Sequence, residues 1–221
     1  MSVIKAVIFD MDGVLFDTET ICCYSWAKVG AVRHMDHIDQ ALIDCIGLNR
    51  NDGITVLKER YGSDFDAAGF LDEAKEENRR WIEEHGIPLK KGVREILSFL
   101  QEQKIPTAIC SSTQVPTIQS HLQRSDLSGY FQQIIGGNMV EHSKPEPDIY
   151  QKACEAVGYE PVDCIAVEDS PNGIRSAYRA GMQVVMVPDL VASTPELLQM
   201  CISCQDSLLS LQSFLQNMLI S

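Results

Sequence analysis

Short apolar runs alternate with amphipathic stretches along most of the chain. The runs that predict buried strands are residues 6–9, 105–110, 133–135, 164–167 and 183–187. Apolar side chains at helical spacing lie between them, in residues 93–103, 114–123, 147–157 and 172–180. A further amphipathic helix at the end of the chain is indicated by Leu208, Leu211, Leu215 and Met218. Strands that alternate with helices are typical of βαβ units around a parallel sheet, so we predict an α/β core.

The stretch after the first strand, residues 17–85, has helical periodicity instead. Asp36 and Asp66 can each cap a helix, and glycines suit the helix ends. The apolar positions and closing glycines are Ile38, Leu42, Cys45, Ile46 and Gly47, then Ile54, Leu57, Tyr61 and Gly62, then Phe70, Ala74, Trp81, Ile82 and Gly86. We therefore expect two units, an α/β core of residues 1–16 and 86–221 and a helical insert of residues 17–85.

Composition and charge narrow the class of protein. Of the 221 residues, 45% are hydrophobic and 22% are charged, which are ordinary values for a globular chain. The 18 Lys and Arg against 31 Asp and Glu give a net charge of −13, which disfavours nucleic acid and anionic membranes as partners. The sequence shows no signal-like segment and no apolar run of the roughly 18 residues that a membrane helix needs. We expect a cytoplasmic protein, and the sequence does not indicate its oligomeric state.

The chain has eight cysteines, scattered through the predicted helices and strands. In a chain of this length we expect them to be reduced and mostly buried, not paired as disulfides. Cys201 and Cys204 have the spacing of half a zinc site or a redox pair. No second pair and no suitably spaced histidines accompany them, so we do not assign them a function.

Two aspartates directly follow the first apolar run. Asp10 and Asp12 are spaced i, i+2, so both carboxylates point to one side of an extended backbone, and Gly13 permits a turn after them. Ligands of open α/β sheets bind beyond the carboxyl ends of the strands. Two carboxylates this close repel each other unless a cation neutralises them, and Mg²⁺ prefers oxygen ligands that include phosphate. A bare Asp-x-Asp is more often a solvated turn, so the magnesium site depends on residues further along the chain.

Hydroxyl groups and a lysine lie at two later turns. Ser111, Ser112 and Thr113 precede a predicted helix, where hydroxyls and free amides can bind an anion, although plain helix capping is the commoner explanation. Lys144 precedes a proline, which keeps it out of helical angles. A lysine held in this way can neutralise a carboxylate and a phosphoryl oxygen, whereas the alternative is a solvated surface lysine.

Adjacent acids follow the fourth apolar run. Glu168 and Asp169 repeat, at the end of another buried strand, the unusual placement of Asp10 and Asp12. Acids at the ends of two buried strands have no better explanation than a shared cation. We therefore expect all four acids to face one metal ion.

These residues together resemble the haloacid dehalogenase-like superfamily of phosphoryl-transfer enzymes, over the whole chain. Its four motifs occur in order as Asp10-x-Asp12-Gly13, Ser111, Lys144 within Lys-Pro-x-Pro-Asp, and Glu168-Asp169. The helical insert resembles the cap of subfamily I, and the chain is most similar to the β-phosphoglucomutase-like phosphatase group. The resemblance implies a Rossmann-like three-layer α/β/α core with a parallel sheet and an inserted all-helical cap domain.

The resemblance also implies a mechanism. Asp10 would be the nucleophile that forms an aspartyl-phosphate, and Asp12 would be the acid and base. Ser111 and Lys144 would hold the phosphoryl oxygens. The cofactor would be Mg²⁺, and its ligands would be Asp10, the Asp12 carbonyl, Glu168 and Asp169. The residues that we assign to substrate binding are Arg50, Ser112 and Gly13.

The helical insert bears on whether water or a sugar hydroxyl accepts the phosphoryl group. β-Phosphoglucomutase has a histidine and a lysine where this chain has Cys22 and Cys45, while its arginine is kept as Arg50, which we expect in a loop between two helices. Cysteine supplies neither a cation nor a comparable proton shuttle at neutral pH. We therefore predict a phosphatase for a small phosphorylated metabolite, such as a sugar phosphate. The alternatives are a phosphomutase and, from another class, a non-catalytic binding domain or a receiver-type signalling domain.

Overall fold

The computed structural model describes residues 4–46, 48 and 50–220. The chain divides into two compact units, one formed by Met1–Phe16 with Leu89–Ser221 and the other by Asp17–Pro88. The first unit contains the sheet, and the regular elements described in the second unit are helices. In the part of the chain that is described, no helix is both long and apolar enough to cross a membrane.

Within the described residues, six parallel strands form one sheet in the order β3-β2-β1-β4-β5-β6. They are β1 (Ala6–Phe9), β2 (Thr107–Ser111), β3 (Gln133–Gly136), β4 (Cys164–Glu168), β5 (Gln183–Met186) and β6 (Ser203–Cys204). The predicted α/β fold with a parallel sheet is confirmed, and the five predicted strands are β1 to β5. The sixth was missed because two residues carry too little pattern to distinguish a strand from a loop.

The described residues form ten α-helices. They are α1 (Thr18–Val32), α2 (Ile38–Cys45), α3 (Arg50–Tyr61), α4 (Ala67–His85), α5 (Val93–Glu102), α6 (Val115–Arg124), α7 (Asp148–Val157), α8 (Pro171–Arg179), α9 (Pro195–Leu198) and α10 (Leu208–Ile220). The helices α1 to α4 belong to the helical unit. The helices α5 to α8 and α10 coincide closely with the predicted segments of the core.

The strand β1 lies in the middle of the sheet, between β2 and β4. Its four side chains are all buried, because a parallel sheet is covered by helices on both faces. Phe9 at the end of β1 pairs with Ile109 of β2 and with Val167 of β4. The residues that follow these three positions therefore meet at the carboxyl edge of the sheet, which is where ligands of open α/β sheets bind.

The helical unit has an apolar core of its own. Trp26 of α1 packs edge-on against Phe70 of α4, with 4.9 Å between the ring centroids. As predicted, Asp66 caps α4, since its side chain accepts the Gly69 N–H at 3.0 Å, and Gly86 ends this helix.

Two details predicted for the helical unit were wrong. His37, in a left-handed conformation with φ 54°, precedes α2, so Asp36 does not cap that helix. Arg50 is the first residue of α3 and not a loop residue, because the first turn of α3 is polar and carries no apolar signal. The helix end predicted at Gly47 lies outside the described residues.

Candidate active site

The carboxyl edge of the sheet collects side chains from three adjacent strands. Asp10 directly follows β1, and Ser111 ends β2. Glu168 ends β4, and Asp169 comes directly after it. Parallel pairing in a fixed register therefore assembles the site from segments that are far apart in sequence.

Three buried carboxylates form a cluster at this edge. Oxygens of Asp10, Glu168 and Asp169 lie within 4.8 Å of one another. Burial raises the pKa of Asp10 to about 8; the Lys144 ammonium opposes this shift and nearby carboxylates add to it. Oxygen donors with an excess of negative charge suit a hard divalent cation. The residues present therefore fit a metal site.

An ammonium group lies within the acidic cluster. Lys144 Nζ lies 2.5 Å from Asp10 Oδ1 and 2.6 Å from Glu168 Oε1, and it donates to the Cys110 carbonyl at 3.1 Å. The Lys144 side chain is only 6% exposed. Burial works against its charge, yet the two carboxylates outweigh burial and raise the pKa of Lys144. Lys144 is therefore a buried cation, and the alternative of a solvated surface lysine does not apply.

Glu168 accepts hydrogen bonds on both carboxylate oxygens. Oε1 accepts from Lys144 Nζ at 2.6 Å and from the Tyr150 hydroxyl at 2.7 Å. Oε2 accepts the Asp169 N–H at 3.1 Å, and it accepts the Ser170 N–H and hydroxyl at 3.3 and 3.1 Å. Two carboxylate oxygens can accept about four hydrogen bonds, so these donors fill the acceptor capacity of Glu168. Glu168 thereby fixes Lys144 on one side and the backbone that carries Asp169 on the other.

Two glycines let the backbone approach the acids closely. Gly13 has φ +78°, and a Cβ atom there would collide with the Asp169 carboxylate. A Cβ atom at Gly173 in α8 would collide with the Glu168 carboxylate. Gly13 is predicted from the sequence to bind substrate. In the structure, the absence of a side chain at Gly13 leaves room for the Asp169 carboxylate.

Asp12 is contacted by two hydroxyl groups from the end of β2 and the loop after it. Thr113 Oγ1 donates to Asp12 Oδ2 at 3.0 Å, and Ser111 Oγ donates to the same oxygen at 3.3 Å. Ser111 Oγ in turn accepts the Thr113 N–H at 3.0 Å. The structure therefore places Ser111, predicted to hold a phosphoryl oxygen, next to the predicted acid.

The predicted anion site at the start of α6 is partly used by an internal hydrogen bond. The Val115 N–H donates to Asn138 Oδ1 at 3.0 Å. Gly137 lies so close to the Ser112 carbonyl that a Cβ atom would collide with it. Ser112 itself is exposed. One amide of the first turn of α6 is thus already occupied, while Ser112 stays accessible.

The residues singled out in the helical unit make contacts within that unit. Arg50 Nη2 lies 2.9 Å from Asp72 Oδ1, and Cys22 Sγ accepts from Asn78 Nδ2 at 3.3 Å. Burial raises the pKa of the Cys45 thiol to about 11. A thiol with this pKa is uncharged at neutral pH and supplies no cation at this position.

The cysteines are present as free thiols. Cys204 is exposed in β6, and burial raises the pKa of the half-buried Cys201 to about 11. Among the described residues, the group of potential metal ligands is the three-carboxylate cluster, which contains neither of these cysteines.

An α/β sheet with acids after its central strand, and a helical unit inserted after that strand, defines the class of Rossmann-like proteins with a cap. Residues 7–187 match the family of haloacid dehalogenase-like hydrolases, and the chain belongs to this family. The resemblance inferred from the four motifs is therefore confirmed, and so is the prediction of an enzyme.

Known proteins resemble the chain over most of its length. It is 31% identical over 179 residues to the phosphorylated carbohydrates phosphatase of Thermotoga maritima, covering 81% of this chain and 82% of that protein. It is 28% identical over 186 residues to hexitol phosphatase B of Escherichia coli (strain K12), covering 84% of each. A haloacid dehalogenase family hydrolase from Deinococcus radiodurans, solved with bound phosphate and sodium, has a TM-score of 0.81 at 24% identity, over 98% of this chain and 97% of that one. The similarity to the Deinococcus radiodurans hydrolase shows the fold.

Sequence reasoning missed the neighbours that hold the site residues in place. Tyr150 occupies an apolar position of an amphipathic helix and could not be told from an ordinary core residue. Ser170 follows the acids directly and caps α8 by accepting the Gly173 N–H at 3.1 Å, which its position before a proline could have indicated. Thr113 was recognised as one hydroxyl of three, but its contact with Asp12 was not foreseen.

Proposed function

We propose that this hydrolase is a phosphatase that acts on small phosphorylated carbohydrates, with Mg²⁺ as its cofactor. The observation that carries the proposal is the Asp10 carboxylate, buried at the end of β1 with Lys144 Nζ 2.5 Å away. A carboxylate nucleophile beside a fixed cation, with a second carboxylic acid at Asp12, supplies the groups that transfer through an aspartyl-phosphate requires. The names of the Thermotoga maritima and Escherichia coli relatives support the substrate class.

We assign the metal to the acidic cluster. Its ligands would be the carboxylates of Asp10 and Asp169 together with the Asp12 backbone carbonyl. When bound, Mg²⁺ would neutralise the negative charge that repels a phosphate from these carboxylates. Glu168 belongs to the cluster, but the donors on both of its oxygens favour a supporting function, in which it fixes Lys144 and the Asp169 backbone.

The first half of the reaction is carried by Asp10 and Asp12. An Asp10 carboxylate oxygen attacks phosphorus and forms a new O–P bond, while the bond from phosphorus to the carbohydrate oxygen breaks. Asp12 gives its proton to that departing oxygen, which leaves as an alcohol. Lys144 holds one phosphoryl oxygen, and the Ser111 hydroxyl turns from Asp12 to another.

The second half returns the enzyme to its starting state. Asp12, now a carboxylate, takes a proton from a water molecule whose oxygen attacks phosphorus. The bond between phosphorus and Asp10 breaks, which releases inorganic phosphate and the Asp10 carboxylate. The proton taken from water replaces the proton given to the alcohol, so Asp12 is restored as an acid.

Substrate choice is proposed to involve Arg50 and Ser112, with Gly13 shaping the loop beside the acids. A guanidinium can bind a phosphate or carboxylate with two parallel hydrogen bonds, and Arg50 is 47% exposed at its side chain. We also propose a cytoplasmic setting, which fits the free thiols of the cysteines.

The experiment is a phosphate-release assay across sugar phosphates, hexitol phosphates and p-nitrophenyl phosphate, with Mg²⁺ or with a chelator. The wild type should release phosphate only with Mg²⁺, and Asp10→Asn should lose at least about a thousandfold in turnover because the nucleophile is gone. The matched control is Asp163→Asn, which changes an aspartate that precedes β4 at the opposite edge of the sheet and pairs with Lys5. Wild-type turnover by Asp10→Asn, in a preparation free of deamidation, would refute the mechanism.

The phosphoryl acceptor is tested separately. The uncharged thiol of Cys45 supports water as the acceptor, since a mutase needs groups that orient a second sugar phosphate. Incubation with β-glucose 1-phosphate and a trace of the 1,6-bisphosphate should give inorganic phosphate. Faster formation of glucose 6-phosphate than of inorganic phosphate would identify a phosphomutase.

A further inference from the structure

We propose that Thr113 is a positioning residue that orients the carboxyl group of Asp12. The inference rests on the proposed function, in which Asp12 is the acid of the first half-reaction. Thr113 Oγ1 donates to Asp12 Oδ2 at 3.0 Å, the shorter of the two hydroxyl contacts on that oxygen. Both hydroxyls hold Oδ2, so the orientation of the carboxyl group is fixed and Oδ1 is the oxygen left to face the departing group.

Thr113 is held in place on both sides of its backbone. Its N–H donates to Ser111 Oγ at 3.0 Å, and its carbonyl accepts the Gly137 N–H at 3.0 Å. Gly136 lies so close to the Thr113 carbonyl that a Cβ atom there would collide with it. These contacts fix the backbone from which the Thr113 hydroxyl reaches Asp12.

Helix capping does not explain the position of the Thr113 hydroxyl. The residue at the capping position of α6 is Gln114, and no side-chain cap is made there. The Val115 N–H is instead satisfied by Asn138 Oδ1 at 3.0 Å. The hydroxyl of Thr113 donates its hydrogen to Asp12, whereas a helix cap would accept a backbone N–H. Its contact is thus with the acid.

Ser111 cannot keep its hydrogen bond to Asp12 throughout the reaction. Its hydroxyl makes the longer contact to Asp12, at 3.3 Å, and is the group proposed to turn toward the phosphoryl oxygens. When Ser111 turns, Thr113 is the hydroxyl that stays on Asp12 Oδ2. The orientation of the acid then depends on Thr113 at the moment of proton transfer.

The consequence is a dependence on the leaving group. A sugar alkoxide is a poor leaving group and needs the proton of Asp12, whereas p-nitrophenolate leaves with little protonation. Loss of the Thr113 hydroxyl should therefore slow the reaction of sugar phosphates and leave aryl phosphates much less affected. The value of kcat/KM isolates this first half-reaction, because it does not include hydrolysis of the aspartyl-phosphate.

The experiment compares Thr113→Val, which keeps the shape and removes the hydroxyl, with Thr113→Ser, which keeps the hydroxyl. Each is assayed for kcat/KM on p-nitrophenyl phosphate and on the sugar phosphate that the wild type hydrolyses fastest. Thr113→Val should lose about thirtyfold on the sugar phosphate and less than about threefold on the aryl phosphate, and Thr113→Ser should restore most of the loss. Thr117→Val on exposed Thr117 of α6 is the matched control and should change neither value.

A double-mutant cycle shows whether Thr113 acts through Asp12. In an Asp12→Asn background, adding Thr113→Val should cause no further loss on the sugar phosphate, because the acid it positions is absent. If Thr113→Val does not fold, Thr113→Ala replaces it in the same cycle. Equal losses on both substrates, or no loss on either, would overturn the assignment of Thr113 while leaving the proposed function intact. An inactive wild type would instead overturn the proposed function, and this inference with it.

Discussion

The Tyr150 hydroxyl donates to Glu168 Oε1 at 2.7 Å, and both side chains are fully buried. Lys144 Nζ binds the same oxygen and lies 5.0 Å from the centroid of the Tyr150 ring. A buried carboxylate costs free energy unless donors and opposite charge compensate it. The contact between α7 and β4 therefore supplies part of that compensation, and it connects the stability of the core to the order of the site.

Tyr150→Phe should lower the free energy of unfolding by about 1 to 3 kcal/mol, because it removes one donor from a buried carboxylate and changes little else. Denaturant unfolding of the metal-free protein measures this. Tyr178→Phe is the control, since Tyr178 is 53% exposed, and it should stay within about 0.5 kcal/mol of the wild type. An equal effect of the two substitutions would show that the Tyr150 hydroxyl contributes nothing specific.

Lys144→Met should lower the free energy of unfolding more than Tyr150→Phe does, and it should abolish turnover. Without the ammonium, the fully buried Glu168 carboxylate loses the cation that pairs with it, and breaking such a pair costs about 3 to 5 kcal/mol. Denaturant unfolding and phosphate release are measured on the same preparations. The control is Lys152→Met on α7, where the lysine side chain donates to an exposed backbone carbonyl. A Lys144→Met protein that unfolds at the wild-type denaturant concentration would contradict the burial of this charge pair.

Much of the fold could be predicted because its signals are local. The strand β1 is a continuous apolar run that ends in Asp10, and Glu168 ends a similar run in β4, so the sequence itself indicates buried parallel strands with acids at their ends. Neighbouring parallel strands then bring those acids together. The two-residue strand β6 and the polar first turn of α3 carry no such pattern and were not predicted correctly.

The supporting contacts of the site could not be predicted, because they depend on packing between elements that are distant in sequence. Tyr150 reaches Glu168 only through the way α7 packs on the sheet. The Thr113 hydroxyl contacts Asp12, which comes from the loop after β1, and the Val115 N–H of α6 is satisfied by Asn138. In neither case does the residue type alone distinguish these contacts from ordinary packing or capping.

Asp169→Asn should weaken metal binding more than Glu168→Gln does, whereas Glu168→Gln should lower the stability more. Asp169 is the proposed direct ligand, so its substitution should weaken Mg²⁺ by about a hundredfold or more, while Glu168→Gln should cost about tenfold as a supporting contact. Glu168→Gln should lower the free energy of unfolding more, because an amide cannot match the donors on both of its oxygens. Calorimetric Mg²⁺ titration and denaturant unfolding give the two rankings. Stronger loss of Mg²⁺ in Glu168→Gln than in Asp169→Asn would show that Glu168 is itself a ligand.

Asp10 should make the metal-free protein less stable as the pH rises from about 4 to about 8. The pKa of Asp10 is raised by burial from its ordinary value of 3.8 to about 8, so between these values the folded protein binds a proton that the unfolded chain does not. The free energy of unfolding then falls with pH, by at most about 1.4 kcal/mol per unit from this group.

Denaturant unfolding in chelator at pH 5.5 and pH 7.5 measures this slope, and Asp10→Asn removes the titrating group. The variant should show a flatter profile and a higher stability at pH 7.5 than the wild type, because the amide carries no charge to bury. The hydrogen bond to Asp148 raises the pKa of His142, which acts in the same direction, and burial lowers the pKa of His121, which acts in the opposite direction. Both histidines are present in both proteins, so they cancel in the comparison. Adding Mg²⁺ to the wild type at pH 7.5 should restore stability, since the cation binds the ionised carboxylate. The same slope in Asp10→Asn and the wild type would show that Asp10 is not the buried acid that sets it.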